Sequence, residues 1–207
     1  MGVMTLIVTD PRDQARLIAE RRASGADRFD EVWDGDYVMS PIADNEHQDL
    51  QGLLTSVFLQ ALGADRQARV QPGANISDRE EGWEHNYRCP DVAVFLPNTS
   101  ARDCGSHWFG GPDFAVEILS PGDRTPKKLP FYASVNVREL LVVAREPWSL
   151  ELYRLRDGEL ASVGKIDVST GDPLASEVLP LSFRLVAGSP RPIIDVRHRE
   201  TGQTWSA

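Results

Sequence analysis

The chain has 207 residues, of which 41% are hydrophobic and 26% charged, the composition of one globular domain of ordinary size. No window approaches the roughly 20 apolar residues of a membrane span, and the start lacks the basic flank and cleavage site of a secretory signal, so we expect a cytoplasmic protein without a membrane partner. The net charge of −9 excludes a surface that is basic overall and leaves only a local basic groove for contact with nucleic acid.

The first third of the chain is predicted to form a helix, a hairpin and a longer helix. Residues 11–23 follow Asp10, a helix-capping residue, and begin with proline, which suits the first helical position. The segment RFDEVWDGDYVMSP alternates apolar and polar residues around Asp34-Gly35, a pair typical of a tight hairpin turn. Residues 44–63 carry apolar residues at helical spacing and end at a glycine. The apolar positions of this second helix are Leu50, Leu53, Leu54, Val57, Phe58 and Leu62.

The rest of the chain is predicted to be mostly strands around one further helix. ARVQPG and YRCPDVAVFLP are interpreted as strands with the polar loop ANISDREEGWEHN between them, and a loop at 98–111 leads into the strand DFAVEILS. Thr125 and Pro126 suit the start of a short helix, and Asn136 suits the left-handed conformation just after it. VRELLVVA, the hairpin SLELYRLRDGELASVG and short β elements follow. This order predicts an α/β or α+β sheet domain.

Two acids stand inside strands that are otherwise apolar, Asp91 in PDVAVFL and Glu117 in FAVEILS. A buried carboxylate is costly unless it is paired or holds a metal. Neighbouring strands could bring both acids to one end of a sheet, where two carboxylates, the carbonyl of Ile118 and waters would make a Mg²⁺ site. The alternative is that one acid is solvated at a strand end while the other pairs with an arginine.

Lys127 and Lys128 open the short helix after the Glu117 strand. A lysine that reaches back toward the carboxylates could orient a water molecule or stabilise negative charge on a phosphate. The alternative for either lysine is a solvated position on the helix surface.

Several segments together resemble the Uma two family of restriction-endonuclease-like proteins, within the PD-(D/E)XK nuclease superfamily. The resemblance covers about residues 29 to 160 and rests on RCPDVAVF, PDFAVEILSPGDR, KKLPFYASVNVRELLVV and LELYRLRDGEL. It implies a restriction-endonuclease-like mixed sheet flanked by helices over residues 29–207, preceded by a helical extension at 1–28. It also implies a Mg²⁺-dependent phosphodiesterase site, with Mn²⁺ as an alternative, in which Asp91 and Glu117 bind the metal and Glu31 is a further acid.

The chain departs from the superfamily pattern at the catalytic lysine. The E-x-K pattern would place a lysine at position 119, where this chain has Leu119. The resemblance aligns K-L-P-x-Y-A with Lys128 and the residues after it, which implies that Lys128 has the role of the missing lysine. His47 matches a histidine of the family at the start of a helix and could contact a phosphate, although capping of the helix is an equal alternative.

The substrate expected from the resemblance is DNA, cut at phosphodiester bonds by a symmetric dimer, the commonest form of oligomer. We expect His47, Lys127 and Arg124 to contact DNA. A nuclease should also show a basic rim around the acids, for which the candidates are Arg66, Arg69, Arg88 and Arg124. Trp83, Trp108 and Phe109 lie in polar loops and could stack on bases.

Two other functions stay open. The acidic charge and the displaced lysine favour a non-catalytic scaffold or binding module with the same fold. A zinc-stabilised structural protein would use His85, Cys89, Cys104 and His107, whose residue types and spacings suit zinc ligands. Convergence of these four side chains within a few ångströms would support the zinc site.

Overall fold

The computed structural model describes residues 6–40, 43–62, 67–120 and 125–207, and within these ranges the chain forms three α-helices, one 3-10 helix and 17 strands. The helices are α1 (Pro11–Ser24), α2 (Asn45–Leu62) and α3 (Thr125–Ser134), with the 3-10 helix at Trp83–His85. The strands are β1 (Leu6–Val8), β2 (Glu31–Trp33), β3 (Asp36–Met39), β4 (Arg69–Pro72), β5 (Ile76–Ser77), β6 (Tyr87–Arg88), β7 (Val92–Phe95), β8 (Arg102–Asp103), β9 (Trp108–Phe109), β10 (Phe114–Ile118), β11 (Glu139–Arg145), β12 (Trp148–Arg156), β13 (Glu159–Ile166), β14 (Leu174–Ala175), β15 (Leu181–Val186), β16 (Ile193–His198) and β17 (Thr204–Ser206).

A six-stranded sheet with the strand order β13-β12-β11-β10-β7-β4 forms the centre of the fold. Strand β10 is parallel to β11 and antiparallel to β7, and α3 is the crossover between β10 and β11. Strand alternation sends Phe114, Val116 and Ile118 of β10 into the core that contains α2, whereas Ala115 packs in the core that contains α3. The intervening Glu117 therefore belongs to the α3 side of the sheet.

The apolar face of α2 packs between the central sheet and a C-terminal sheet of order β14-β15-β16-β17. The ring of Phe58 on α2 lies 5.7 Å from that of Phe114 on β10 and 6.3 Å from that of Phe183 on β15, both at edge-to-face angles. The buried residues of α2 are His47, Leu50, Leu54, Val57 and Phe58. This packing fixes the first turn of α2 beside the end of β10.

A third sheet, of order β1-β3-β2-β6-β5-β9-β8, carries the N-terminal hairpin against this core. Helix α1 begins at a capping Asp10, whose carboxylate accepts the Arg12 backbone N–H at 2.9 Å. From the end of α1, the Arg21 side chain donates to Asp30 just before β2, and β1 pairs with β3. The division of the chain at residues 28 and 29 stays a prediction.

The predicted α+β class is confirmed, as are the helices and both hairpin turns. Asp34 and Gly35 have φ values of 50° and 94° between β2 and β3, and Asp157 and Gly158 have 51° and 83° between β12 and β13. Asn136 follows α3 in the left-handed region at φ 64°. The glycine predicted to end α2 lies outside the described residues.

Two parts of the secondary structure differ from the prediction. YRCPDVAVFLP forms two strands, β6 and β7, with Cys89, Pro90 and Asp91 between them, because proline has no N–H to donate to a ladder. The two segments predicted as loops contain the two-residue strands β5, β8 and β9 and the 3-10 helix. Strands this short have no apolar alternation that a sequence could reveal.

The part of the chain that the structure describes has no helix with the length and apolar character needed to cross a membrane.

Candidate active site

A cavity of about 80 Å³ lies where the β2–β3 hairpin, the first turns of α2, the end of β10 and the start of α3 meet. All three acids singled out in the sequence line it, together with Lys128, His47 and Ile118. Its full lining is Phe29, Glu31, Trp33, Val38, Ser40, Ala43, His47, Gln51, Cys89, Asp91, Glu117, Ile118, Ser120 and Lys128.

Lys128 joins two of the buried carboxylates. Its Nζ lies 2.9 Å from Glu31 Oε1 and 3.0 Å and 3.2 Å from the two carboxylate oxygens of Glu117. The Lys128 side chain is 12% exposed, and those of Glu31 and Glu117 are 3% exposed. Charge-assisted hydrogen bonds are strong, and burial away from water strengthens them further. The ammonium group is therefore fixed between a hairpin and the central sheet.

Neighbouring groups orient each of these carboxylates. Glu31 Oε2 accepts the Trp33 indole N–H at 2.7 Å, and Glu31 Oε1 accepts the Cys89 backbone N–H at 2.9 Å. The Tyr132 hydroxyl, one helical turn beyond Lys128, donates to Glu117 Oε1. Burial, followed by the charges of Glu117 and Glu31, raises the pKa of Tyr132 well above its ordinary value, so this hydroxyl remains a donor.

Asp91 is held from three sides at the turn before β7. One carboxylate oxygen lies 3.3 Å from His47 Nε2, and the other accepts the Ile118 backbone N–H at 2.6 Å. Its backbone carbonyl accepts the Gln51 side-chain amide at 2.8 Å. Burial is the strongest single influence on His47 and opposes its charged form, but the hydrogen bond to Asp91 and the negative charges of Asp91 and Asp44 together outweigh it and raise the pKa of His47 above its usual value. The Nδ1 atom of His47 is buried without a hydrogen-bond partner among the described residues.

The donor set suits a hard cation by its chemistry. Mg²⁺ prefers oxygen ligands and is commonly held by one or two carboxylates while it keeps several waters. Asp91 and Glu117 supply two carboxylates in one cavity, and Ile118 lines the same space. No group of three or more His, Cys, Asp or Glu side chains among the described residues is arranged to hold a metal ion. A cation in this cavity would therefore depend on the two carboxylates, backbone oxygen and water.

The other residues predicted to contact DNA are Lys127 and Arg124. Lys127 is exposed on α3 and does not line the cavity. Arg124 and Arg66 lie outside the described residues. The roles assigned to individual residues stay predictions, while the meeting of Glu31, Glu117 and Lys128 is a finding of the structure.

The predicted basic rim is wrong for the two arginines that the structure describes. Arg69 pairs with Asp103 and lies over the Trp108 ring, outside the lining of the cavity. Arg88 is 3% exposed and lies behind the cavity, with its guanidinium 4.9 Å from the Trp33 ring centroid and 4.2 Å from that of Phe131. Burial lowers the pKa of Arg88 from its ordinary value.

The zinc hypothesis is also wrong, since His85, Cys89, Cys104 and His107 all lie in the described ranges and form no such metal group. The His107 ring instead stacks on Trp83 at 5.0 Å. Cys89 is buried, and this burial strongly raises the pKa of its thiol. A buried cysteine of this kind behaves as a small apolar residue.

Sequence reasoning missed the aromatic residues of the site. The aromatic side chains that line the cavity are Phe29 and Trp33, whereas Trp108 is buried against Phe95 at 3.6 Å between ring centroids. Two spacings could have indicated the missed residues. Trp33 follows Glu31 by two positions on a strand and so shares its face. Tyr132 follows Lys128 by four positions on a helix and so lies on the same side.

The chain is similar to known proteins in sequence and in fold. The sequence profile of the Uma2 family, described as "Putative restriction endonuclease", matches residues 20–188. The chain belongs to the Uma2 family. A crystal structure described as a putative nuclease belonging to DUF820, from Anabaena variabilis ATCC 29413, is similar in fold, with a TM-score of 0.52 and 19% identity over 64% of this chain and 75% of that one. No curated protein matches the sequence. The restriction-endonuclease-like fold of this Uma2 protein is thus confirmed, and its family supports a nuclease-like function.

Proposed function

We propose that this Uma2 protein is a Mg²⁺-dependent endonuclease that hydrolyses phosphodiester bonds in DNA, with Mn²⁺ as an alternative metal. The observation that carries the proposal is the meeting of Asp91, Glu117 and Lys128 in one cavity, from three separate segments of the chain. An ion pair with a purely structural role would need only the lysine and one of the two carboxylates. The third carboxylate, Glu31, holds the lysine from the opposite side.

Asp91 and Glu117 would hold the metal, with the Ile118 carbonyl as a further oxygen ligand. When bound, Mg²⁺ polarises a phosphoryl oxygen and makes a coordinated water more acidic. The chain already orients both carboxylates, Asp91 through His47 and the Ile118 backbone, and Glu117 through Tyr132 and Lys128. Ligands that are held in place in advance lose little freedom when they bind an ion.

Lys128 would orient the attacking water or stabilise the negative charge that grows on the phosphate. Its Nζ is 3.0 Å from Glu117 Oε1, close to the expected metal site, and 2.9 Å from Glu31 Oε1, which holds the group in the cavity. His47 would contact the substrate from α2, and Lys127 and Arg124 would contact the DNA backbone. The symmetric dimer stays a prediction.

One observation favours a second candidate, the non-catalytic module. Lys128 is bound to two carboxylates, and the chain carries a net charge of −9. Such a cluster could serve only to connect the hairpin, the sheet and α3 through buried charges. A protein of this kind would keep the fold without cutting DNA.

Cleavage of plasmid DNA and of a single-stranded circle, with Mg²⁺ and with Mn²⁺, tests the proposal. We expect the wild-type protein to cut, and Asp91→Asn and Glu117→Gln to lower the rate on the order of 100-fold or more. Asp172→Asn is the matched control, because Asp172 is an exposed acid outside the cavity. Equal cutting by the wild-type protein and both site variants would overturn the proposal. A wild-type protein that is folded but does not cut with either metal would favour the binding module.

A further inference from the structure

A second, larger space of about 600 Å³ adjoins the active-site cavity. We call it the outer groove. The two spaces share Phe29, Ser40, Ala43 and Gln51 in their linings, so they are adjacent. The outer groove is lined by Ser24, Gly25, Ala26, Arg28, Phe29, Ser40, Ala43, Gln48, Gln51, Gly52, Thr55 and Pro72. Its volume falls in the range of roughly 300–1,000 Å³ that is typical of sites for small ligands.

One face of α2 forms a polar wall of the outer groove. Gln48, Gln51, Gly52 and Thr55 follow one another at the helical spacing of three and four residues, opposite the apolar face that packs in the core. The amide nitrogen of Gln48 donates to the Ala43 carbonyl at 2.9 Å, and that of Gln51 donates to the Asp91 carbonyl at 2.8 Å. Each amide group is therefore fixed in direction and has further capacity to donate or accept.

Gly52 has no packing reason to be glycine. It lies inside α2, where glycine weakens a helix relative to alanine. A Cβ built at this position would have no atom within 4 Å, and the backbone is helical, so neither a close contact nor a positive φ requires glycine. The effect of the missing side chain is to keep the groove deep next to Gln48 and Gln51.

The charge of the outer groove does not suit double-stranded DNA. Among the described residues that line it, Arg28 is the one charged side chain. The adjoining cavity adds Lys128 and His47 against three carboxylates. A duplex presents phosphates on two strands and is bound mainly through many Lys and Arg contacts. An unpaired strand can instead be bound through its bases, by stacking and by hydrogen bonds to their edges.

We propose that the outer groove binds an unpaired nucleotide of single-stranded DNA next to the phosphate that lies in the active-site cavity. Phe29 lies at the junction of the two spaces, with the Arg28 guanidinium 5.3 Å from its ring centroid, and this pair provides a surface on which a base stacks. The amides of Gln48 and Gln51 contact the base edge. This inference rests on the proposed function and names its substrate class as single-stranded DNA.

Fluorescence anisotropy with a labelled single-stranded oligonucleotide and with the duplex of the same sequence, in EDTA, tests the inference. Metal removal prevents cleavage, so the readout is independent of catalysis. We expect the wild-type protein to bind the single strand more tightly than the duplex. Gly52→Leu places a side chain in the groove at a position where a Cβ meets no atom within 4 Å, has better helix propensity, and should weaken single-strand binding roughly tenfold or more. Phe29→Leu keeps an apolar side chain but removes the stacking ring, and should weaken it roughly fivefold or more.

Gln60→Leu is the control, because Gln60 is exposed on the same helix and does not line either space. It should bind like the wild type. Duplex binding that equals or exceeds single-strand binding would overturn the inference, and so would unchanged binding by Gly52→Leu or no measurable binding of the single strand. Failure of the nuclease proposal looks different, since the protein would then not cut DNA with metal present, whatever it binds in EDTA.

Discussion

Glu117 is a single residue whose position in the sequence is enough to indicate a site. It stands in a strand whose other residues, Phe114 to Ile118, are all buried, and its own side chain is 3% exposed. Such a carboxylate is destabilising unless charged and polar partners surround it. Lys128 and Tyr132 are those partners, and both reach it from one face of α3.

The first prediction concerns Lys128. Lys128→Met would leave Glu31 and Glu117 without the ammonium that both contact, and loss of one partner from a buried ion pair costs about 3–5 kcal/mol. We expect urea denaturation to show a free energy of unfolding lower by about 3 kcal/mol. The double variant Lys128→Met/Glu31→Gln should regain part of this loss, because one uncompensated charge is gone. A Lys128→Met protein as stable as the wild type would contradict the ion-pair network.

The meeting of Asp91, Glu117 and Lys128 in one cavity could be predicted from sequence, since acids in apolar strands and family motifs are local signals. For Glu31, the sequence predicted a place near the other acids but not its contact with Lys128. The spacings of Trp33 from Glu31 and of Tyr132 from Lys128 place each pair on one side of its element, but the hydrogen bonds of Trp33 and Tyr132 to the carboxylates form only when the hairpin, the sheet and α3 pack together.

At the scale of elements, Arg145 connects the end of β11, the segment after β10 and the start of α2. From the end of β11 its guanidinium donates to the Leu119 carbonyl after β10 at 3.1 Å. It also donates to Asp44 at 2.8 Å and to Glu46 at 3.1 Å, at the start of α2. Asp44 in turn accepts the His47 backbone N–H at 2.8 Å and so caps α2. The position of His47 beside Asp91 depends on this connection.

The second prediction is a pH dependence at Asp44. The hydrogen bond from Arg145, followed by that from the His47 backbone, lowers the pKa of Asp44 below its ordinary 3.8. A lowered pKa in the folded state stabilises the protein fully above the unfolded pKa, and this stabilisation is lost as the pH falls toward the folded pKa. Asp44→Asn keeps a capping side chain and removes the charge. The difference in the free energy of unfolding between the wild type and this variant therefore measures the contribution of the ion pair.

Urea denaturation as a function of pH measures this effect. Near neutral pH we expect Asp44→Asn to be less stable than the wild type by less than about 1 kcal/mol, because the Asp44 side chain is 57% exposed. The difference should shrink as the pH falls below 3.8. A difference that stays constant through this range would show that the charge of Asp44 does not contribute.

The elements that could be predicted are those with a repeating pattern or a specific turn residue. The spacing of apolar residues indicated α2, and Asp-Gly pairs indicated both hairpins. The short strands β5, β8 and β9 could not be predicted, because they depend on contacts between distant segments, such as the Trp108 N–H to the Asn75 carbonyl at 2.8 Å.

At the scale of the whole molecule, the distribution of charge limits the ways in which this protein could bind DNA. The net charge of −9 predicted a local basic groove at most, and the two described arginines proposed for it make other contacts. Sequence could not reveal this, because an arginine that stacks on buried rings and one that faces a phosphate look alike in a linear pattern. In the proposed binding mode, the attraction for single-stranded DNA would come from Lys128 and Arg28, and from aromatic and amide side chains that do not depend on charge.

The central claim is that Asp91 and Glu117 form one metal site. Calorimetric titration of Mg²⁺ and of Mn²⁺ into the wild-type protein, Asp91→Ala and Glu117→Ala tests it most directly, with Asp172→Ala as the exposed control and far-UV circular dichroism to verify the fold. We predict that one site is filled in the wild-type and control proteins and that neither cavity variant fills it. Equal binding by all four folded proteins, or a folded wild-type protein that binds neither metal, would contradict the two-carboxylate site.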